Sequence, residues 1–287
     1  MLSLAGITSP ASFPQSLPER TYQVLKCNFH THTTYSNDGI YTPTQTVNLF
    51  YDAGFDVLAI TDHNTNAGVS EARAASADKG MIIIPGEEVS CYWSDWTNKH
   101  VVALFTEKKI GQWQNISVET IFNDVHSQNG IGIIAHYWVT PEKWNPYLNA
   151  TYIDGWEVNN PKESNIDTNW VYTSKYIYLR NQDFHSDLNS ITQYCNYVLV
   201  ENRTVEGVKD ALLNKRVVVY ENGELYGSPY ALSLNLKNQG SISTTKNLPP
   251  PSAPIATPAP TSIPILLGSF YFDKTSKNQN SPIVSVS

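Results

Sequence analysis

Along residues 21–220, short apolar runs of strand length alternate with segments whose apolar residues recur every three or four positions. Residues 22–29 read as a first strand. Thr42 before Pro43 reads as a helix N-cap followed by a first-turn proline. The apolar positions Val47, Leu49 and Phe50 carry that helix to a stop at Gly54. Residues 56–61 form the next strand, closed by Asp62-His63-Asn64. Residues 70–79 are Ala-rich and helical up to Gly80, and 81–85 are a strand followed by Gly86-Glu87-Glu88. The pattern continues with a strand at 100–105, a helix at 118–128 ending before Gly130, and a strand at 131–135 that runs into His136. Further strands are expected at 152–158, at 176–182 leading into Asp183-Phe184-His185, and at 197–200, before a helix at 205–214. Residues 163–175 show no decisive period. Strand–helix alternation with short connections argues an α/β fold with a parallel sheet, and about seven such units suggest a barrel rather than an open sheet.

Outside this stretch the pattern fades. Residues 1–20 are rich in Ser and Pro and read as an irregular arm. Residues 216–220 and 231–236 are strand-like. The seven prolines in 248–264 mark a linker or tail in polyproline-like conformation. The expected division is therefore an arm at 1–20, a barrel domain at 21–220, a short extension at 221–245 and a Pro-rich tail at 246–287. A chain of 287 residues has room for one such domain with a well-buried core. With a net charge of −7, a nucleic-acid surface driven by bulk electrostatics is not expected. No apolar run has the length of a membrane span, and 1–20 lacks the basic start and apolar block of a signal peptide. Cys27, Cys91 and Cys195 form no Cys-x-x-Cys unit. The pattern leaves compartment and oligomeric state open.

The chemistry gathers at strand ends. His30 and His32 are two apart on a strand, so they project from one face and can chelate one metal ion. Asp38 follows in a Ser-Asn-Asp-Gly turn. His63, His136 and His185 each follow a strand, His100 begins one, and Glu88 ends the third. In a parallel barrel the strand C-termini meet at one rim, where active sites form. Each histidine alone reads as an ordinary structural residue; their shared placement reads as a metal site. Imidazole and carboxylate without thiolate suit Zn, Mn or Fe. A carboxylate such as Glu88 can bridge two ions, and such a site activates water for ester hydrolysis.

Together, His30-Thr-His32-Thr-Thr-Tyr-Ser-Asn-Asp38-Gly, Ile60-Thr-Asp-His63-Asn, Pro85-Gly-Glu-Glu88, His100, Ala135-His136 and Asp183-Phe-His185 resemble the PHP (polymerase and histidinol phosphatase) family over residues 24–220. The resemblance implies a distorted (β/α)7 barrel with a metal site at the C-terminal rim of its strands, two or three divalent ions (Zn, Mn or Fe), and phosphoester hydrolysis by a metal-bridging hydroxide. It implies His30, His32, Glu88 and Asp183 at a first metal, Glu88, His100 and His136 at a second, and Asp38, His63 and His185 at a third. Glu88, Asp183 and His185 are its catalytic members. It selects Glu88 over Glu87, which must face the other way on a strand. Asp62 is expected to orient an imidazole, and His126 to be an ordinary helix residue. Arg180-Asn-Gln stands where relatives often show Gly-Ser. By strand parity Arg180 points away from Asp183; Lys99 and Arg203 are candidate phosphate contacts by their nearness to the motifs. The opening 22–32 also resembles the carbaryl-hydrolase-like branch, whose members can cleave carbamate esters.

The implied substrate is a small phosphoester or nucleotide-like molecule. Two other readings share the ligand set: hydrolysis of a carbamate, amide or carboxylic ester, and a catalytically silent metal-stabilised module. Because the Pro-rich run cannot build a core, truncation after about residue 245 should leave a cooperative thermal transition unchanged. Loss of that transition in a calorimetric scan would show that the tail packs on the domain.

Overall fold

The computed structural model describes residues 21–91, 99–110, 117–139, 141–158, 176–221, 223–228 and 231. All lie in the first of two units into which the chain divides, residues 1–243; the second unit, 244–287, falls outside the described residues. The expected arm, the segment 163–175, most of the 221–245 extension and the Pro-rich tail also fall outside them.

Ten strands form one ladder: β1 (Gln23–Asn28), β2 (Val57–Ile60), β3 (Ile82–Cys91), β4 (Lys99–Leu104), β5 (Ile131–Ile134), β6 (Gly155–Glu157), β7 (Ile177–Leu179), β8 (Tyr194–Val200), β9 (Val217–Glu221) and β10 (Glu224–Gly227). Their order is β10-β9-β8-β1-β2-β3-β4-β5-β6-β7. The sheet curls so that β1 and β7, six places apart, meet just beyond their C-terminal ends, where Thr31 bridges Phe184 in parallel. The fold is mixed α/β, but the sheet is not the parallel one expected. β1–β2, β2–β3, β5–β6 and β6–β7 are parallel, whereas β4 runs antiparallel to both neighbours and β8 runs antiparallel to β1. The cause is connection length. β3 does not stop at Pro85 but continues to Cys91, leaving only residues 92–98 before β4. A parallel crossover needs about a dozen residues or more.

The helices follow their local signals. In α1 (Pro43–Asp52), Thr42 and Gln45 form a reciprocal capping box with Pro43 in the first turn. Helix α2 covers Val69–Ser76. In α3 (Val118–Ser127), capped by Ser117, the buried residues Val118, Ile121, Phe122 and Val125 make one helical stripe. A short α4 (Pro141–Trp144) follows a 3-10 turn at Tyr137–Val139, and α5 covers Val205–Leu213, capped by Thr204.

Two apolar layers result. Leu25, Cys27, Phe29, Ala59, Ile84, Val102, Ile133 and Leu179 pack in one cluster with Val208, Ala211 and Leu212 of α5. Val101, Ala103, Ile134, Trp156 and Tyr178 point the opposite way, toward α3 and Trp144. Cys27, Cys91 and Cys195 are buried and free. No helix among the described residues is long and apolar enough to cross a membrane.

Helix α3 sits close on β5 because Gly132 lacks a side chain: a Cβ there would collide with the Phe122 ring. Phe122→Ala should cost about 3–5 kcal/mol. Gly132→Ala should also destabilise, but much less in the Phe122→Ala background, where the new methyl enters the vacated space. Thermal unfolding of the double-mutant cycle tests this; additive effects would show that the two residues do not share that space.

Candidate metal centre

β1 ends at Asn28, and the chain continues extended past His30 to His32. Thr31 N–H donates to Thr61 Oγ1, and His32 N–H to the Phe184 carbonyl, both at 2.8 Å. The imidazoles of His30 and His32 therefore project together, with their Nε2 atoms 3.1 Å apart. Glu88 lies within β3, fully buried, and His63 follows β2 across an isolated bridge to Glu88. His100 lies near the start of β4. Because β4 is antiparallel, its beginning reaches the rim where the parallel strands end. His136 follows β5, and Asp183 and His185 follow β7. His136 and Asp183 have φ values of +29° and +48°, backbone that costs a side-chain-bearing residue about 1–2 kcal/mol.

Glu88 is the hub. Its Oε1 lies 3.0 Å from His100 Nδ1 and 3.1 Å from His136 Nε2. Its Oε2 lies 3.1 Å from His32 Nε2 and 3.2 Å from both His30 Nε2 and His63 Nδ1. Asp183 Oδ1 is 3.2 Å from His30 Nε2 and 3.3 Å from His32 Nε2. On the outer side, Asp38 Oδ2 is 3.0 Å from His63 Nε2 and 3.2 Å from His185 Nε2, and the His185 ring stacks on His32 at 4.2 Å between centroids. Gly39 closes the loop that presents Asp38, since a Cβ there would strike the Thr33 backbone.

The donor atoms fit divalent ions. The Nε2 atoms of His30 and His32 stand 3.1 to 3.3 Å from each other and from the oxygens of Glu88 and Asp183. Ligands about 2.0–2.1 Å from one tetrahedral ion stand roughly 3.3–3.4 Å apart. Asp183 Oδ1 and His63 Nδ1 are buried without a hydrogen-bond partner, so both are directed at the interior of the cluster. The electrostatics agree. Burial alone would push Glu88 up, yet His30, His100 and His136 hold its carboxyl well below the usual range. Burial alone would push His32 down, yet Asp183 and Glu88 raise it to about 9. Burial with cationic neighbours depresses His63. The carboxylates thus set up a field that favours positive charge within the cluster, beside a cavity of about 220 Å³ lined by His63, Glu88, His100, His136, Val139, Asp183 and His185.

The converging sets differ in detail from the expected division. His30, His32, Glu88 and Asp183 form one set; His63 joins Glu88 and His100; and His32 joins Asp38, His63 and His185. His136 reaches both Glu88 Oε1 and His100 Nδ1. Glu87 faces away, its carboxylate accepting from Ile110 N–H. Asp62 does not touch His63. It binds Thr33 N–H at 2.6 Å and the Ser36 hydroxyl at 3.0 Å, and Ser36 Oγ lies 3.1 Å from His32 Nδ1, so the carboxylate steadies His32 through a hydroxyl. His126 pairs with Asp154 at 2.8 Å, outside the cluster. Arg180 points away as expected, pairing with Glu221 at 3.1 Å and covering the Tyr194 ring. Neither expected phosphate contact lines the cavity: Lys99 lies over Trp144 and Tyr147, and Arg203 pairs with Asp56 just before β2, at the opposite end of the strands. One residue escaped the sequence reading. Glu157 ends β6 and touches His30, and its only signal was a carboxylate at the end of an apolar strand.

A curled α/β sheet with a histidine–carboxylate cluster at one rim is an architecture that can gather divalent ions at its strand ends. A family model for the PHP domain matches residues 28–175, just over half of the chain, and the chain belongs to that family. Among curated relatives, a 5'-3' exoribonuclease of Haemophilus influenzae is 40% identical over 83 residues, 29% of this chain and 30% of that protein. A 3',5'-nucleoside bisphosphate phosphatase of Chromobacterium violaceum is 38% identical over 80 residues, 28% of this chain and 27% of that protein. The chain thus spans less than a third of these relatives. A two-domain protein of Bacteroides vulgatus containing a predicted PHP-like metal-dependent phosphoesterase superposes with a TM-score of 0.62 at 19% identity, covering 75% of this chain and 70% of that one, which shows the shared fold.

Zinc or manganese added to chelator-treated protein should raise its melting temperature, because ions that bind only the folded state stabilise it. Glu88→Gln should abolish most of that increase. An equal increase in the variant would remove Glu88 from the centre.

Proposed function

We propose that this protein is a metal-dependent phosphoesterase acting on a small phosphorylated or nucleotide-like substrate, with two or three divalent ions (Zn, Mn or Fe) on a distorted (β/α)7 barrel. The observation that carries the reading is Glu88, whose two oxygens face separate groups of imidazoles within 3.2 Å, the disposition a bridging carboxylate needs. His30, His32, Glu88 and Asp183 are the ligands of one ion, Glu88, His100 and His136 of a second, and Asp38, His63 and His185 of a third. Bound there, divalent ions supply Lewis-acid activation of water and of the phosphoryl oxygens.

The chain's own residues do the rest. Buried His30, His32 and Glu88 keep their donor atoms fixed, so little reorganisation accompanies reaction. Asp38 and His185, 37% and 31% exposed, form the side that meets solvent and substrate. A cavity of about 220 Å³ holds roughly seven waters' worth of volume, enough for a phosphoryl group and an attacking water, with the leaving group at the mouth beside exposed Val139. The likeness to proteins named as an exoribonuclease and a nucleoside bisphosphate phosphatase supports a phosphate ester of a nucleotide or a short nucleic-acid end.

Assays with p-nitrophenyl phosphate, bis-p-nitrophenyl phosphate and an aryl carbamate separate the reaction classes. Phosphate ester cleavage is expected, lost with chelator and restored by Mn or Zn. His185→Ala should lower turnover at least ~100-fold, since loss of partners outside the ligand shell alone costs about 10–100-fold. His126→Ala should change it little. Carbamate cleavage without phosphate ester cleavage, or an inactive His126→Ala beside an active His185→Ala, would overturn the assignment.

A further inference from the structure

Glu157 is 1% exposed, ends β6, and belongs to none of the converging sets. A carboxylate buried this deeply costs several kcal/mol unless its oxygens are satisfied. Here both are. Oε1 lies 2.9 Å from His30 Nδ1 and accepts from Asn181 Nδ2 at 2.8 Å; Oε2 accepts from the His136 backbone N–H at 2.7 Å. One side chain thus touches the imidazole of one candidate ligand and the backbone of another, and it does so from a third strand.

We propose that Glu157 is the positioning residue of the metal centre, fixing His30 with Nδ1–H toward Glu157 and the Nε2 lone pair toward Glu88 and Asp183, and pinning the backbone of His136. The inference rests on the metal-site reading above. Three features support it. The ring has two nitrogens and only one faces the cluster: Nε2 is 3.2 Å from both Glu88 and Asp183, while Nδ1 faces Glu157. A carboxylate accepts and cannot donate, so it selects the tautomer whose lone pair points at the ion. His136 has a φ of +29°, and its N–H is held in that backbone shape by Glu157 Oε2. Glu157 is itself braced: Asn181, which donates to it, accepts at Oδ1 from Phe29 N–H and Asn196 Nδ2, both at 2.9 Å. His32 is held differently: its Nδ1 meets the Ser36 hydroxyl at 3.1 Å, which passes on to Asp62, while the nearer-surface Asp38 Oδ1 stands 3.9 Å away.

Glu157→Gln makes the sharp variant. It keeps the shape but has one accepting oxygen. Its NH₂ must face either His30 Nδ1, driving that ring's proton to the nitrogen that faces the site, or the His136 N–H, donor against donor. Zinc binding to the full chain, measured by chelator competition, should weaken about 10–100-fold in Glu157→Gln, and Glu157→Asp, which keeps the carboxylate, should recover part of it. In the zinc-loaded wild type, long-range ¹H–¹⁵N spectra should show His30 protonated at Nδ1. Wild-type zinc affinity in Glu157→Gln, or His30 protonated at Nε2 in the wild type, would overturn the proposal. The spectra decide it even where the variant does not fold. A wild-type protein that binds no zinc or manganese would instead overturn the underlying metal-site reading.

Discussion

The structure turns on burying one carboxylate. Glu88 is 1% exposed, and five imidazole nitrogens lie within 3.2 Å of its oxygens. An ionised carboxylate in such a place survives only with positive charge against it, and the histidines are drawn from β1, β2, β4 and β5 to provide or coordinate that charge. This demand explains a departure from simple strand–helix alternation. A parallel β4 would deliver its last residues, not its first, to the rim. The short β3–β4 connection reverses β4 and brings His100 to Glu88 Oε1. The sheet's mixed polarity and the composition of the site are therefore one fact.

The closing of the curled sheet is tied to the same place. Beyond Asn28 and Leu179, regular backbone pairing gives way to side-chain amides that imitate it. Asn28 Oδ1 accepts from Gln182 N–H, Asn181 Oδ1 accepts from Phe29 N–H, and Asn196 both accepts from and donates to the Arg180 backbone. Amides suit this work because each carries a donor and an acceptor on one rigid group. The same Asn181 donates to Glu157, which reaches His30. Errors in joining β1 to β7 are thereby passed to the imidazole orientation, so sheet closure and site geometry are set together.

Much of this was legible in the chain. The Thr42-Pro43 start of α1, the apolar stripe of α3 and the shared facing of His30 and His32 follow from local rules that tertiary context did not override. The spacing of the His and carboxylate motifs pointed to one rim. What stayed hidden depended on partners distant in sequence. The run into Glu88 looked finished at Pro85 because Gly86-Glu87-Glu88 is polar, yet both glutamates are buried, one on each face of a continuing strand. Asp62 stands beside His63 in sequence but serves His32, because its hydrogen bonds fold the loop 33–36 back onto it. Glu157 had no motif around it, and only its contact with a residue 127 positions earlier gives it meaning. Lys99 and Arg203 were suggested by nearness to motifs, which says nothing about which end of a strand a side chain occupies.

The centre is also uneven in depth, and the unevenness divides its labour. His30, His32 and Glu88 are deeply buried, with their second polar atoms committed to Glu157, Ser36 or other cluster members. Asp38 and His185 stand about a third exposed on loops, joined to that core mainly through His63 and the stacked face of His32. A ligand held on a sealed strand end keeps its geometry at little entropic cost, whereas one on an open loop can yield as substrate enters and product leaves. In the proposed centre, the deep ligands thus fix the position of the reacting groups and the shallow ones accommodate exchange. The two roles share His32, which touches Glu88 through Nε2 and stacks on His185 through its ring face, so displacement on the open side is felt at the buried one.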